Sequence, residues 1–196
     1  GDRHLVKSSA CIQADITLGL CLAYQKGTAG FQFLWATAPL LPGTDLRFSV
    51  GADGLSLLML LLTALVTLAA AWALPPVDKR ANLFDACVLL ISAGATGAFL
   101  SRDLFFYYAF HELALIPTFL LIGLWGSGER QAAAWKITVY LGLGSIILLV
   151  GLADLILAIP ASHRSFDLEK LQQLAGSKII PASAQLRPFC LLTVGF

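Results

Sequence analysis

The sequence predicts an all-α integral membrane protein in which several transmembrane helices form a bundle. The chain has 196 residues, of which 58% are hydrophobic and only 13% are charged. Soluble domains carry about a quarter charged residues, so this chain lacks the polar surface that a soluble fold of its size requires. A mean hydropathy of +0.80 and several apolar runs of about 20 residues, the length of a helix that crosses a bilayer, support the same prediction.

Four apolar runs predict membrane spans, at residues 55–74, 83–100, 104–125 and 132–159. Pro75 and Pro76 stop the first run and Pro160 ends the last, because proline cannot continue a helix. The polar stretch 161–187 reads as a loop, with a surface helix expected at 166–174. Near the start, residues 11–24 read as the remnant of a span with a degraded beginning, and 25–50 read as a loop rich in Gly, Pro and Thr.

Charge and cysteine spacing exclude several classes of function. The formal net charge is +1, which gives no case for a nucleic-acid partner. The cysteines show no metal-ligand spacing such as C-x-x-C, and in apolar runs such residues are expected to be small buried hydrophobes; they are Cys11, Cys21, Cys87 and Cys190. We therefore expect no redox centre, no metal site and no bound cofactor in this chain.

The strongest candidate for chemistry is Glu112, in the third span. It lies nine residues after Asp103, about 14 Å along a helix that rises about 1.5 Å per residue, and therefore near the bilayer midplane. Ionisable groups at that depth are costly and usually functional. Two interpretations stay open: Glu112 remains protonated and bonds a neighbouring helix, or a cationic partner lets its charge switch.

Two neighbours of Glu112 could shape this site. Pro117 has no N–H for the carbonyl of Leu113, so the helix is expected to bend there and leave a backbone acceptor free. That acceptor could hold a water, or the bend could be a packing kink alone. His111 is expected to be a polar contact between helices first and a proton relay second, and no zinc motif is present, because position 115 is Leu.

Lys136, early in the fourth span, is the candidate cationic partner of Glu112. The two residues differ in expected depth by about 10 Å, which makes a direct salt bridge doubtful. A hydrated relay or a field effect remains open, beside the alternative that Lys136 only reaches the interface. Asp53 and Asp103 precede helical runs and are expected to cap them, whereas Asp154 is expected to face the membrane interface.

Three segments together resemble a known family. They are residues 50–57 (VGADGLSL), 102–117 (RDLFFYYAFHELALIP) and 134–140 (AWKITVY), and they resemble the antiporter-like chain M of NADH:quinone oxidoreductase. The resemblance covers about residues 10–196. It implies a fourteen-helix protein with two inverted five-helix repeats, of which this chain holds part of the first.

The resemblance also divides the chain and assigns its site. Residues 1–53 form a degraded span and a loop, 54–100 form two transmembrane helices, and 101–196 begin a truncated proton-translocating module. Glu112 matches the family's essential glutamate, which is thought to pair with a lysine on a later helix, and Lys136 matches a basic position often found there. The His at position 111, where Trp is more usual, departs from the pattern. The run 189–196 simply stops, so we expect a fragment of a longer protein.

What the resemblance implies is a proton-translocating subunit, part of an enzyme but without a redox centre of its own. NADH, FMN, iron–sulfur clusters and quinone would act in partner subunits of the membrane-bound complex, and the chain would lie in the bacterial inner membrane. The alternatives are a subunit of a multisubunit cation/proton antiporter or of a membrane-bound hydrogenase, and a purely structural scaffold with Glu112 permanently neutral.

Overall fold

The computed structural model describes residues 4–25, 30–40, 46–73, 80–160, 164–176 and 182–195. The elements are α1 (His4–Ala23), β1 (Gln32–Ala36), β2 (Ser49–Ala52), α2 (Gly54–Ala73), α3 (Ala81–Leu100), α4 (Leu104–Leu113), α5 (Leu115–Trp125), α6 (Arg130–Leu157), α7 (Leu168–Gly176) and α8 (Ala182–Gly195). Within these described residues, five stretches are long and apolar enough to cross a membrane: α1, α2, α3, α4 together with α5, and α6. The predicted multi-span helical bundle is confirmed. The proline stop predicted at 75–76 lies outside the described residues.

The first helix is longer than the sequence suggested. α1 begins at His4, seven residues before the predicted start, and is itself 20 residues long. Its polar Gln13 bonds α3 twice, since Nε2 donates to Thr96 Oγ1 at 2.9 Å and Oε1 accepts from Ser92 Oγ at 2.7 Å. A polar side chain that finds partners on the next helix does not end a span, so α1 is a complete candidate span.

The predicted loop 25–50 contains an antiparallel hairpin, formed by β1 and β2. Isolated bridges continue the pairing from Val50 to Ser101 and from Asp103 to Asp167. Four extended segments are therefore joined at one end of the bundle, where they satisfy backbone N–H and C=O groups that no helix uses. The sequence did not indicate these strands because they are short and lie among turn residues.

The end of the chain packs on α6. Gly144 and Gly151 let α8 approach closely: a Cβ at Gly144 would lie 2.8 Å from the Gly195 carbonyl oxygen, and one at Gly151 would lie 3.1 Å from Leu191 Cβ. α8 begins inside the predicted loop 161–187. The expected surface helix is present as α7, shifted by two residues, and its Leu171 is buried in a cluster with Leu104, Leu148, Leu152 and Ile159.

The four cysteines are not uniformly buried. Cys87 is buried, Cys11 and Cys21 are half-buried, and Cys190 on α8 is exposed. The expectation of small buried hydrophobes therefore holds for Cys87 and is wrong for Cys190, which is exposed on α8.

Candidate functional site

The third span is interrupted next to Glu112. α4 ends at Leu113, α5 begins at Leu115, and Ala114 lies between them. Pro117, which is buried, cannot donate to the Leu113 carbonyl, so the regular hydrogen-bond ladder fails here. The ladder resumes one residue later, where the N–H (3.2 Å) and the hydroxyl (2.7 Å) of Thr118 both donate to the Ala114 carbonyl. The predicted distortion is confirmed.

Glu112 is held from the neighbouring helix α6. The Ser145 hydroxyl donates to Glu112 Oε1, and the Tyr108 hydroxyl lies 3.0 Å from Ser145 Oγ. Because the single Ser145 proton is donated to Glu112, Tyr108 is the donor in the second bond. The result is a chain of two hydroxyls that ends on the carboxyl group. Bonding to a neighbouring helix is compatible with both interpretations of Glu112 that the sequence left open.

His111 lies closer to the carboxyl group than its sequence position suggested. Neighbouring residues point about 100° apart around a helix, yet His111 Nδ1 lies 3.7 Å from Glu112 Oε1. The two side chains are 41% and 30% exposed in this chain. A 3.7 Å separation is an ion-pair distance and is too long for a direct hydrogen bond.

A cavity of about 360 Å³ lies beside the carboxyl group. It is enclosed by residues of α3, α4, α5 and α6, among them Gly94, Tyr107, His111, Glu112, Thr118, Leu141 and Ser145. This volume exceeds the space of one water many times over. The cavity therefore offers Glu112 and His111 room for water or for rotation.

Small residues on α3 let α4 come close at this level. A Cβ at Gly94 would lie 2.9 Å from the Phe110 carbonyl oxygen, and one at Gly97 would lie 2.4 Å from the Phe110 ring. These two glycines thus bring α3 against the turn of α4 that carries Glu112. Their close approach fixes where the carboxyl group lies.

Lys136 is not brought together with Glu112. It precedes Ser145 by nine residues on α6, which corresponds to about 13 Å along the helix and to half a turn around it. The exposed side chain of Lys136 makes no ion pair with Glu112, and both residues belong to the described part of the chain. The doubt about a direct salt bridge is confirmed, while the hydrated relay, the field effect and the alternative that Lys136 only reaches the interface stay predictions.

The remaining carboxylates have structural partners. Asp53 Oδ1 accepts the N–H of Ser56 at 2.7 Å, and Asp103 Oδ1 accepts the N–H groups of Phe105 and Phe106, so both predicted caps are confirmed. Asp154 pairs with the exposed Arg187 of α8, at 3.4 Å between Oδ2 and Nε. The membrane-interface position expected for Asp154 stays a prediction.

Sequence reasoning missed two members of the site. Tyr108 lies four residues before Glu112, the spacing that places two side chains on one face of a helix, and this signal could have identified it. Ser145 lies 33 residues away on another helix, and a lone serine in an apolar run carries no comparable signal. Only the packing of α4 on α6 reveals its role.

Comparison with known proteins gives consistent results. The family model described as "NADH:quinone oxidoreductase/Mrp antiporter, TM" matches residues 101–196. The chain is 36% identical over 168 residues to NAD(P)H-quinone oxidoreductase chain 4 2 of Synechococcus sp. (strain JA-2-3B'a(2-13)), covering 86% of this chain and 30% of the relative. It is also 36% identical over 146 residues to the chloroplastic chain 4 of Chara vulgaris, covering 68% of this chain and 29% of that protein.

Solved structures share the fold. A chain of respiratory complex I from Thermus thermophilus with bound NADH matches with a TM-score of 0.79 and 28% identity, covering 100% of this chain and 39% of that one. A chain of the Mrp complex from Dietzia sp. DQ12-45-1b matches with a TM-score of 0.75 and 25% identity, covering 98% and 34%.

The matches cover most of this chain but only part of each relative. The chain spans about 30% of the length of the curated relatives that it matches, and the helices on which they agree include the interrupted third span. The chain is a multi-pass membrane protein, and it belongs to the antiporter-like family of membrane subunits found in NADH:quinone oxidoreductases and Mrp antiporters.

Proposed function

We propose that this chain forms part of a proton-translocating membrane subunit of an NADH:quinone oxidoreductase in the bacterial inner membrane. The observation that carries the proposal is the carboxyl group of Glu112, which lies mid-span, accepts a hydrogen bond from Ser145 and borders a cavity. A carboxyl group at this depth either stays neutral or changes charge with its surroundings. The cavity beside it supplies room for the second behaviour.

In this proposal the chain moves protons and its partners move electrons. NADH, FMN, iron–sulfur clusters and quinone react in other subunits of the complex, and conformational or electrostatic coupling reaches Glu112 through the membrane subunits. The carboxyl group takes up a proton as an O–H bond forms, and it releases the proton when a nearby cation favours the carboxylate. The relatives named as quinone oxidoreductase chains support this assignment.

Lys136 enters the proposal as a source of electric field. The offset of about 13 Å along α6 approximates the distance between Lys136 and Glu112, because Ser145 bonds Glu112. At that distance two unit charges interact by about 1 kcal/mol in a medium of effective dielectric constant ~20. That energy corresponds to about a fivefold change in an equilibrium. Lys136 would therefore modulate the charge of Glu112, while a closer cation on another helix would dominate it.

The decisive experiment replaces the carboxyl group in the whole subunit, assembled in its complex and reconstituted in proteoliposomes. Glu112→Gln keeps the shape and a hydrogen-bond acceptor but cannot release a proton, so NADH-driven proton uptake is expected to be lost while the complex still assembles. Lys136→Gln is expected to lower uptake by about fivefold. Proton uptake is followed with a pH-sensitive dye inside the vesicles.

Asp154→Asn is the matched control. It removes another carboxylate from the same bundle, one that pairs with an exposed arginine, and uptake should stay at the wild-type rate. Wild-type uptake by the Glu112→Gln complex would refute the proposal. A carboxyl C=O infrared band that never changes during turnover would instead favour a scaffold with Glu112 permanently neutral.

A cation/proton antiporter is the second candidate, favoured by the match to a chain of the Mrp complex. A membrane-bound hydrogenase subunit belongs to the same alternative, because it would use the same module. Sodium-driven proton movement in vesicles, without any dependence on NADH, would favour the antiporter. Hydrogen evolution coupled to proton uptake would favour the hydrogenase.

A further inference from the structure

His111 is the feature that the proposed function leaves unused. Its ring lies 3.7 Å from the carboxyl group that carries the proposal. It also lines the cavity of about 360 Å³. We propose that His111 exchanges protons with Glu112, so that the pair collects protons from the cavity as a single unit.

Two side chains of different chemistry meet the same carboxyl oxygen of Glu112. Oε1 accepts the hydroxyl of Ser145 on the side of α6, and the same oxygen faces His111 Nδ1. The Ser145–Tyr108 pair holds the carboxyl group in place, while the imidazole stands toward the cavity. A water in the cavity can bridge His111 Nδ1 and Glu112 Oε1. Alternatively, a small rotation of either side chain can shorten their 3.7 Å separation to hydrogen-bond length.

The proton step is balanced within the pair. The Nδ1–H bond of the imidazolium breaks and an O–H bond forms on the Glu112 carboxylate, so an ion pair becomes a neutral pair. The imidazole nitrogen then accepts the next proton from a hydronium ion that reaches it through the cavity; one O–H bond of that ion breaks and a neutral water remains. Imidazole suits this task because its charge changes within the physiological pH range, and positioned groups of this kind speed proton transfer by about 100-fold or more.

Other ionisable groups near the pair are few. On α4, Tyr107 and Tyr108 share the surroundings of the carboxyl group. Among the cavity-lining residues of α3, α5 and α6, which all belong to the described part of the chain, none has an acidic or basic side chain. His111 is therefore the group on this wall of the cavity that can exchange protons with Glu112 at neutral pH.

This inference rests on the proposed function, and its test is separate from that of Glu112. In the whole subunit within its complex, His111→Gln keeps a polar side chain of similar length but removes the titration. The ratio of variant to wild-type proton uptake is expected to fall as the pH rises from about 5 to about 8. At about pH 8, proton uptake by the variant should be about tenfold lower than that of the wild type, because fewer free protons then reach Glu112 without the help of His111.

His4→Gln is the matched control, since it removes a histidine from the exposed start of α1 and should leave the ratio at one throughout. His111→Trp, which replaces the imidazole with an aromatic ring that takes up no proton, is expected to show the same pH-dependent deficit as His111→Gln. Assembly and NADH oxidation with a soluble electron acceptor show that each variant complex is intact. A ratio for His111→Gln that stays constant across this pH range would overturn the inference.

The outcomes separate the two proposals. Loss of uptake in Glu112→Gln with a pH-independent ratio in His111→Gln refutes the pair and leaves the proposed function standing. Normal uptake in Glu112→Gln refutes the proposed function itself. If His111→Gln lowers the amount of assembled complex, the infrared titration of the Glu112 carboxyl group decides instead: its pH dependence should change in His111→Gln and remain as in the wild type in His4→Gln.

Discussion

Asp103 and Glu112 belong to the same span, nine residues apart, yet their surroundings differ in kind. Asp103 is 1% exposed, and its Oδ1 accepts the backbone N–H groups of Phe105 at 2.9 Å and Phe106 at 3.4 Å. Glu112 accepts its bond from the rotatable hydroxyl of Ser145 and lies beside a cavity. One carboxyl group is enclosed by the helix it caps, and the other faces movable partners.

The comparison shows that the same functional group, a carboxyl, serves two purposes in one span. Backbone donors cannot turn away unless the helix unfolds, so the partners of Asp103 are permanent and its role is structural. Hydroxyl and imidazole groups rotate, so the partners of Glu112 can change while the fold stays intact. Backbone geometry thus separates the capping carboxylate from the carboxyl group proposed to carry protons.

The end of the bundle around Asp103 is stabilised by further ionic contacts. Arg102 Nη2 lies 2.5 Å from Glu169 Oε2 and 3.7 Å from Asp167 Oδ1, and its guanidinium stacks 5.1 Å from the Phe31 ring. The Leu104 N–H donates to the Phe166 carbonyl at 2.9 Å. These contacts connect the turn before α4 to the segment that precedes α7 and to the first turn of α7.

Among the residues that surround the two carboxyl groups, Ser145→Ala is expected to have the largest effect, and it tests whether rotatable partners matter. The variant removes the hydroxyl that bonds Glu112 and interrupts the link to Tyr108. A hydrogen bond to a charged group contributes about 1.5–3 kcal/mol, so proton uptake should fall by about tenfold or more. Uptake in proteoliposomes and the melting temperature are both measured.

Ser145→Thr, which keeps a hydroxyl, is the control and should retain most of the uptake. If Ser145→Ala pumps like the wild type, the hydroxyl chain has no part in positioning the carboxyl group. The contrast with Asp103 would then lose its functional meaning.

A second variant, Gly94→Ala, tests whether the position of the carboxyl group depends on helix packing. Its new Cβ would lie 2.9 Å from the Phe110 carbonyl oxygen, and this backbone atom cannot turn aside. Overpacking of this kind costs about 1–3 kcal/mol and should push α4 away from α3. A lower melting temperature in detergent, together with reduced uptake, is the expected result.

Gly19→Ala is the matched control, because nothing lies within 4 Å of a Cβ built at that position on α1. It should raise the melting temperature slightly or leave it unchanged. Equal melting temperatures for Gly94→Ala and the wild type would mean that α3 and α4 tolerate a wider spacing than the structure indicates.

The smallest effect is expected at the structural carboxylate. Asp103→Ala removes a helix cap, which costs about 0.5–2 kcal/mol, and Asp103→Asn keeps an acceptor oxygen and should cost less. Both are expected to leave the uptake per assembled complex unchanged. A large loss of uptake in Asp103→Asn, with a normal melting temperature, would erase the distinction between the two carboxylates.

The pH dependence of stability sharpens this prediction. Burial raises the pKa of Asp103, and the nearby charge of Asp167 adds to this, against the lowering effect of the backbone N–H groups. A raised pKa in the folded state means that the stabilising contribution is complete below the unfolded value of about 3.9 and is lost as the pH rises through the folded value. As the pH rises from about 3 to about 7, the wild type should therefore lose stability relative to Asp103→Asn, and the melting temperature of the variant minus that of the wild type should increase.

Much of this architecture follows from the sequence alone. Apolar runs of the length of a bilayer predicted four spans, because lipid demands helices with internally satisfied backbones. The caps at Asp53 and Asp103 and the distortion beside Pro117 were predictable, since each depends on residues close in sequence. Glu112 was predictable as the candidate site because a carboxyl group at mid-span is costly wherever the helix lies.

The surroundings of that carboxyl group depend on how the helices pack together, which the sequence did not reveal. Ser145 meets Glu112 across 33 residues, Lys136 faces the opposite side of α6, and His111 turns toward the carboxyl group despite its position on the helix. The same holds for Gln13, whose partners on α3 let α1 extend to a full span. The sequence specifies how deep a residue lies along its own helix, but helix rotation and spacing arise from the packing of all helices at once.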